Sequence, residues 1–248
     1  MVAAPPPAPQ PGTPSTSSGA SSPSVEPPQP AAGELFGEHL ATAVRYADLL
    51  ATDGVIRGLI GPREAPRIWD RHLLNCAAIA PLISPGAFVV DVGSGAGLPG
   101  IVLAVARPDL TVTLVEPLAR RVAFLDEVVN ELRLTRTTVV RARAEECVGK
   151  LRPADVVTAR AVAPLDRLVA WCIPLARLGG RLLALKGASA GVEVATHGAA
   201  VGRLGGSAPV VRECGVGFGI PPTTVIDVVR ERDTTAPARR GGRGRPRS

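Results

Sequence analysis

The chain has little from which to build a metal site, a disulfide framework or a membrane span. Its four cysteines, Cys76, Cys147, Cys172 and Cys214, are scattered with no C-x-x-C pair. That spacing argues against a zinc ribbon and fits reduced thiols in a cytosol. His39, His72 and His197 are too far apart in sequence to read as a ligand cluster, and no metal is expected. No apolar run approaches the length of a membrane span. The opening MVAAPPPAPQ has neither a basic n-region nor an apolar h-region. No secretory leader is therefore expected, and the cytoplasm is the expected location. Aromatic residues number only seven and lysines two, Lys150 and Lys186. The first shortage leaves few side chains on which a base could stack.

What is present is arginine, glycine and alternating apolar segments. The net charge is +6, yet residues 234–248 hold five arginines and no acid, and residues 1–33 hold Glu26 and no base. Residues 34–233 therefore carry only +2. The high isoelectric point reports a basic tail rather than a basic fold, so it does not by itself argue for nucleic-acid binding. Arginine outnumbers lysine 26 to 2, which a codon bias toward GC-rich triplets would also produce.

Residues 1–33 contain ten prolines among Ser, Gly and Ala; such a segment has little to bury and is expected to be disordered. The last fifteen residues are expected to be disordered too. Their Arg-Gly character suits loose contact with RNA phosphates as well as simple solvation. Between the tails, 34–51 and 64–82 read as helices. Strands are expected at 87–92, 111–116, 137–142, 154–160 and 180–187. Helices are expected at 99–106, 118–134 and about 164–176, and APVVREC and TTVIDVVRE as a final antiparallel pair. This alternation predicts an α/β fold: a mostly parallel, Rossmann-like sheet covered by helices on both faces, with a terminal antiparallel strand. The expected division is a helical cap over 34–84 and a cofactor-binding core over 85–233. On the helix at 118–134, the stripe Val122, Leu125, Val129 and Leu132 is expected in the core.

The stretch FVVDVGSGAGLPG, 88–100, places a glycine loop directly after the first strand. Gly93, Gly95 and Gly97 allow a tight turn and a close approach of ligand to backbone. A dinucleotide fingerprint fits poorly: read from Gly93 its third glycine falls on Leu98, and read from Gly95 it starts late. Pro99 also removes an N–H from a helix start where a pyrophosphate would want donors. The alternative D-x-G-x-G-x-G is met by Asp91 through Gly97. An acid ahead of the glycines suits a cofactor that brings positive charge, as S-adenosylmethionine does with its sulfonium and amino group. Glu116, at the end of the second strand, is placed to accept the ribose hydroxyls of an adenosine. A tight turn with a solvated acid is the plainer alternative.

Further motifs carry a resemblance. RHLLN (71–75), DVGSGAGLPGI (91–101), RARAEE (141–146), ARAVAPL (159–165) and ALKG (184–187) together resemble the glucose-inhibited division protein B family, bacterial methyltransferases that modify guanine N7 in 16S ribosomal RNA. The resemblance runs from about residue 36 to about 232. It implies a Rossmann-like methyltransferase fold with a helical cap, S-adenosylmethionine as cofactor, and 16S ribosomal RNA or the small ribosomal subunit as partner. It implies cofactor roles for Gly93, Leu98, the Ala144–Glu145 pair and Arg160. Many members carry an aromatic two residues after that arginine, where this chain has Val162.

The residues agree with that chemistry. Guanine N7 is an acceptor with a free lone pair, so its methylation needs alignment rather than a general base. No N-P-P-[YF] or D-P-P-[YF] tetrapeptide is present for an exocyclic amine, and no Pro-Cys pair for carbon methylation. Arg160 is the first candidate for a catalytic residue, since its five donors can face both a carboxylate and guanine O6. An arginine paired to Asp91 or Asp155 for structure is the alternative. Arg120, Arg121 and Lys186 are candidates for RNA contact, with solvated positions as their alternative. His72 reads as a packed histidine rather than a catalyst. A monomer is expected. Two other functions fit the same fold: a small-molecule methyltransferase, with an enclosed apolar pocket, and an RNA-binding assembly factor without turnover.

Overall fold

The computed structural model describes residues 29–160 and 163–234. Most of the proline-rich arm, the arginine tail from 235 onward and Val162 lie outside the described residues.

Seven strands form one sheet: β1 (Phe88–Val92), β2 (Thr111–Val115), β3 (Thr137–Val140), β4 (Ala154–Arg160), β5 (Ala176–Lys186), β6 (Val210–Cys214) and β7 (Thr223–Val229). Their order is β3-β2-β1-β4-β5-β7-β6, with β7 antiparallel to both of its neighbours. The chain runs outward from β1 to β3, then returns to β4 on the other side of β1. The switch point therefore lies between β1 and β4, where open α/β sheets bind ligands at the strands' carboxyl ends. Register sets Asp91 of β1 beside Thr158 of β4 at this point.

Eight α-helices are described: α1 (Pro30–Phe36), α2 (Leu40–Leu49), α3 (Leu74–Ala77), α4 (Gly100–Ala106), α5 (Ala119–Glu131), α6 (Ala144–Cys147), α7 (Leu165–Cys172) and α8 (Ala190–Arg203). Alternation along the strands splits the core in two. Val89, Leu114 and Val156 face α4, α5 and the cap, while Val90, Val157 and Leu182 face α7 and α8. Helices α1, α2 and α3 all pack on α4. Ion pairs tie the cap to α5 as well, Arg45 to Glu131 at 3.0 Å and Arg57 to Glu127.

The cap is more broken than its pattern predicts. The first expected helix starts at Pro30 rather than 34, breaks at Gly37 and ends in a π turn over Leu50–Gly54. The second expected helix opens on a 3₁₀ turn at Ala65–Arg67, passes through a π turn at Trp69–Leu73 into α3, and gives way to a separate 3₁₀ turn at Ala80–Leu82 that holds Pro81. On α5 the buried face is Phe124, Leu125 and Val128; Val129 and Leu132 pack at its margin and Val122 stays partly exposed. Strand β5 begins four residues early, at Ala176, through an irregularity opposite β4. Helix α8 has no counterpart in the sequence pattern. Its Gly191, Gly198 and Gly202 lower helix propensity, and only Ala190 and Val201 are fully buried.

Candidate active site

The carboxyl ends of β1, β2 and β4 and the start of α6 enclose a cavity of about 700 Å³. Its floor is the glycine loop. Gly93 and Ser94 donate their backbone N–H groups to Val115 O of β2 (2.8 and 3.3 Å), and Gly95 donates to Glu116 Oε2 at 3.0 Å. Gly93 and Gly95 both adopt positive φ and line the cavity with Leu98. Gly97 does not face it. A Cβ there would lie 2.4 Å from Ile101 Cγ1 and 2.8 Å from the Tyr46 hydroxyl, so Gly97 is required by packing beneath the loop. Tyr46, on cap helix α2, is buried and donates to Ala96 O at 2.7 Å. Cap residues Leu59 and Ile60 close one side of the cavity and Trp171 of α7 another.

The two acids are placed differently. Asp91 is fully buried and does not line the cavity. Its Oδ1 accepts from Thr158 Oγ at 2.8 Å and its Oδ2 from the Gly100 N–H at 3.2 Å. Burial pushes its carboxyl up to about 6, against the hydrogen bonds and the nearby Arg160 charge. Glu116 does line the cavity. Its Oε1 accepts from the Leu118 N–H at 3.1 Å, and Arg121 Nη1 lies 3.6 Å from Oε2. Ala144 and Glu145 open α6 and line the same cavity, as does Arg121.

Arg160 ends β4 and borders two cavities at once. The second, about 940 Å³, opens on the far side of the guanidinium. It is lined by Arg67, Arg71, Asn75, Lys186 and His197 together with Asp70 and Glu193. Neither structural partner expected for Arg160 holds it. Asp155 pairs with Arg177 at 2.7 Å and Asp91 bonds Thr158. Instead, Arg160 Nη1 donates to His72 Nδ1 at 3.0 Å and lies 3.5 Å from Arg71 O. Burial, and then the Arg160 charge, bring His72 down to about 4. The imidazole is therefore neutral near pH 7.

The three candidates for RNA contact part company. Arg120 is exposed on α5 and lines neither cavity, whereas Arg121 leans into the first. Lys186 borders the second cavity but is already engaged: its Nζ donates to Ala163 O at 2.6 Å and lies 2.8 Å from Glu193 Oε2. Sequence reasoning missed Tyr46, Thr158 and Trp171. Tyr46 is the chain's only tyrosine, and on an otherwise apolar helix face its hydroxyl was the available signal. Thr158 gave none, since a threonine in a β-strand is ordinary.

A sheet of this order, with a cavity at its switch point floored by a glycine loop and closed by a helical cap, has the Rossmann-like methyltransferase fold. The solved structure of the mitomycin 7-O-methyltransferase MmcR has the same fold, with a TM-score of 0.53 at 17% identity over 82% of this chain and 69% of that one. The profile of the family described as "GidB: rRNA small subunit methyltransferase G" matches residues 39–216, and the chain belongs to that family. It is 66% identical over 228 residues to the ribosomal RNA small subunit methyltransferase G of Salinispora tropica, covering 87% of this chain and 94% of the relative. To the protein of that name from Streptomyces coelicolor it is 54% identical over 230 residues, covering 89% and 96%.

Proposed function

We propose that this protein transfers a methyl group from S-adenosylmethionine to N7 of a guanine in 16S ribosomal RNA, acting in the cytoplasm on the RNA or the small ribosomal subunit. The observation that carries the reading is the place of Arg160, on the partition between the glycine-loop cavity and the cationic cavity beside it. Family membership and relatives named ribosomal RNA small subunit methyltransferase G support the reaction class and the substrate. Among the described residues no helix is long and apolar enough to cross a membrane.

The first cavity fits the cofactor. Gly93 and Gly95 present backbone without side chains, Leu98 and Ala144 supply apolar contact, and the Glu116 carboxylate faces the space. Glu116 would accept the ribose hydroxyls, and Ala144 and Glu145 would flank the adenine. Asp91 contributes from beneath. Bonded to Thr158 and to the Gly100 N–H, it holds the loop's shape and sets a negative charge below it. When bound, the cofactor supplies an electrophilic methyl on a sulfonium.

Transfer forms the N7–CH₃ bond as the S–CH₃ bond breaks. In such a transfer the donor would leave as a neutral thioether and the positive charge would pass to the purine. No proton leaves the base, so no general base is required. The histidine that contacts Arg160, His72, spends its Nδ1 lone pair on that guanidinium. Arg160 would hold guanine O6 and turn the neighbouring N7 toward the first cavity. In-line alignment of this kind is worth roughly 7–11 kcal/mol in favourable cases. Arg121 at the cavity's rim and exposed Arg120 would meet RNA phosphates. Lys186 would act through its hold on Ala163 O and Glu193 unless RNA displaces them.

The test is methyl transfer from labelled S-adenosylmethionine to small subunits that lack the modification, with nucleoside analysis of the product. Label recovered as N7-methylguanosine is the expected result. Tight donor binding without transfer to RNA would overturn the reading.

A further inference from the structure

We propose that His72, on the helical cap, is a positioning residue for Arg160 that aims its guanidinium by accepting a hydrogen bond without neutralising its charge. The inference rests on the reading that Arg160 touches the substrate.

A guanidinium carries only donors. The 3.0 Å contact between Arg160 Nη1 and His72 Nδ1 therefore requires the Nδ1 lone pair, and the ring's single proton sits on Nε2. Nε2 is buried and lies 3.3 Å from Glu64 Oε2, a close charge contact in which no hydrogen bond forms. Glu64 is held in turn by Arg71, Nη1 to Oε1 at 3.0 Å. Polar contacts thus run from the end of β4 into the cap, hydrogen-bonded from Arg160 to His72 and from Arg71 to Glu64, with His72 and Glu64 in charge contact between them. The His72 side chain is only 13% exposed and lines neither cavity. It reaches the reaction only through Arg160.

The choice of residue follows from what the arginine must do. An unrestrained arginine samples many rotamers, and that freedom would be lost each time substrate bound. A carboxylate at position 72 would remove that freedom but hold the cation in a salt bridge, in competition with the base. A neutral imidazole orients Nη1 and leaves the charge available to the substrate. The tautomer is set by Arg160 itself, which can only donate to Nδ1 and so leaves the ring proton on Nε2.

The experiment compares wild type, His72→Leu, His72→Asn, Arg160→Ala and the His72→Leu/Arg160→Ala double variant. Single-turnover methyl transfer is measured on unmodified small subunits, with donor affinity by calorimetry and melting temperature alongside. Loss of aim is expected to lower the transfer rate of His72→Leu on the order of 100-fold with much less change in donor affinity. In His72→Asn the amide oxygen takes the place of Nδ1, so most of the rate returns. Adding His72→Leu to Arg160→Ala costs nothing further, because the two act as a unit. Should His72→Leu fail to fold, His72→Gln replaces it; its longer amide overshoots the Nδ1 position and is expected to transfer more slowly than His72→Asn. Equal rates in wild type and the leucine variant, equal losses in leucine and asparagine variants, or additive losses in the double variant would each overturn the inference. No transfer by the wild type would instead remove the functional reading, and this inference with it.

Discussion

The phenol of Tyr46 donates to the carbonyl of Ala96 across 50 residues of sequence, at 2.7 Å. This one bond ties the helical cap to the glycine loop that floors the first cavity. Cap and loop are therefore mechanically joined, and a change in one is felt in the other.

Tyr46→Phe keeps the ring and deletes only the donor, leaving a buried carbonyl unpaired. The expected cost is about 1–2 kcal/mol of stability, read as a lower urea midpoint at unchanged slope. Donor affinity should fall with it. A midpoint equal to the wild type's would mean that water replaces the phenol.

Glycines of the same chain should respond in opposite directions. A Cβ at Gly100 would meet Leu114 Cδ2 at 2.3 Å and Asp91 Oδ2 at 2.8 Å, in the buried first turn of α4. Gly100→Ala is expected to cost about 1–3 kcal/mol through overpacking. Gly198, inside α8, has nothing within 4 Å of its absent Cβ. Gly198→Ala should stabilise by about 0.5–1 kcal/mol. Thermal melts of the two variants against wild type decide both.

Asp91 and His72 pull stability in opposite directions over one pH window. Burial raises Asp91 from 3.8 to about 6, so its contribution is present below pH 3.8 and lost as pH rises through 6. Burial lowers His72 from 6.5 to about 4, so its contribution is present above pH 6.5 and lost as pH falls toward 4. Each is of order 3 kcal/mol, and in the wild type they largely cancel. Arg160 faces both groups, Glu64 and Arg71 face His72, and Thr158 with the Gly100 N–H faces Asp91. Relative to wild type, His72→Asn should lose stability as pH rises from 4 to 6, and Asp91→Asn should gain it. Denaturant midpoints at pH 4, 5 and 6 give the two slopes, and parallel curves would contradict both assignments.

Arg160→Lys tests the geometry of the guanidinium rather than its charge. An ammonium keeps the cation but cannot present a planar fork to a purine edge and to His72 together. Transfer is expected to slow by about 10²-fold or more, in the range seen when one well-placed donor is removed from a transition state. A lysine variant as active as the wild type would reduce the site's demand to positive charge.

Removal of residues 235–248 takes away five arginines. Binding to small-subunit RNA should weaken and its dependence on salt should flatten, with donor affinity unchanged. An unaltered slope would leave that tail no part in RNA binding.

The sequence by itself determined the sheet and the carboxyl edge at which the candidate residues gather. Short apolar runs separated by helical patterns mark the strands, and the glycines after β1, Glu116 after β2 and Arg160 at the end of β4 fall at carboxyl ends that any parallel sheet of this order brings together. These signals are local and survive without knowledge of the rest of the chain. Helix α8 escaped because its glycines oppose the helix that packing against α7 and β7 imposes. Tertiary structure alone decided who touches whom. It gave Asp91 to Thr158 rather than to the cavity, Lys186 to Glu193, and Arg160 to a histidine 88 residues upstream. Such partners are chosen when distant segments close over one another, because a buried polar group must satisfy itself with whatever the fold brings within 3 Å.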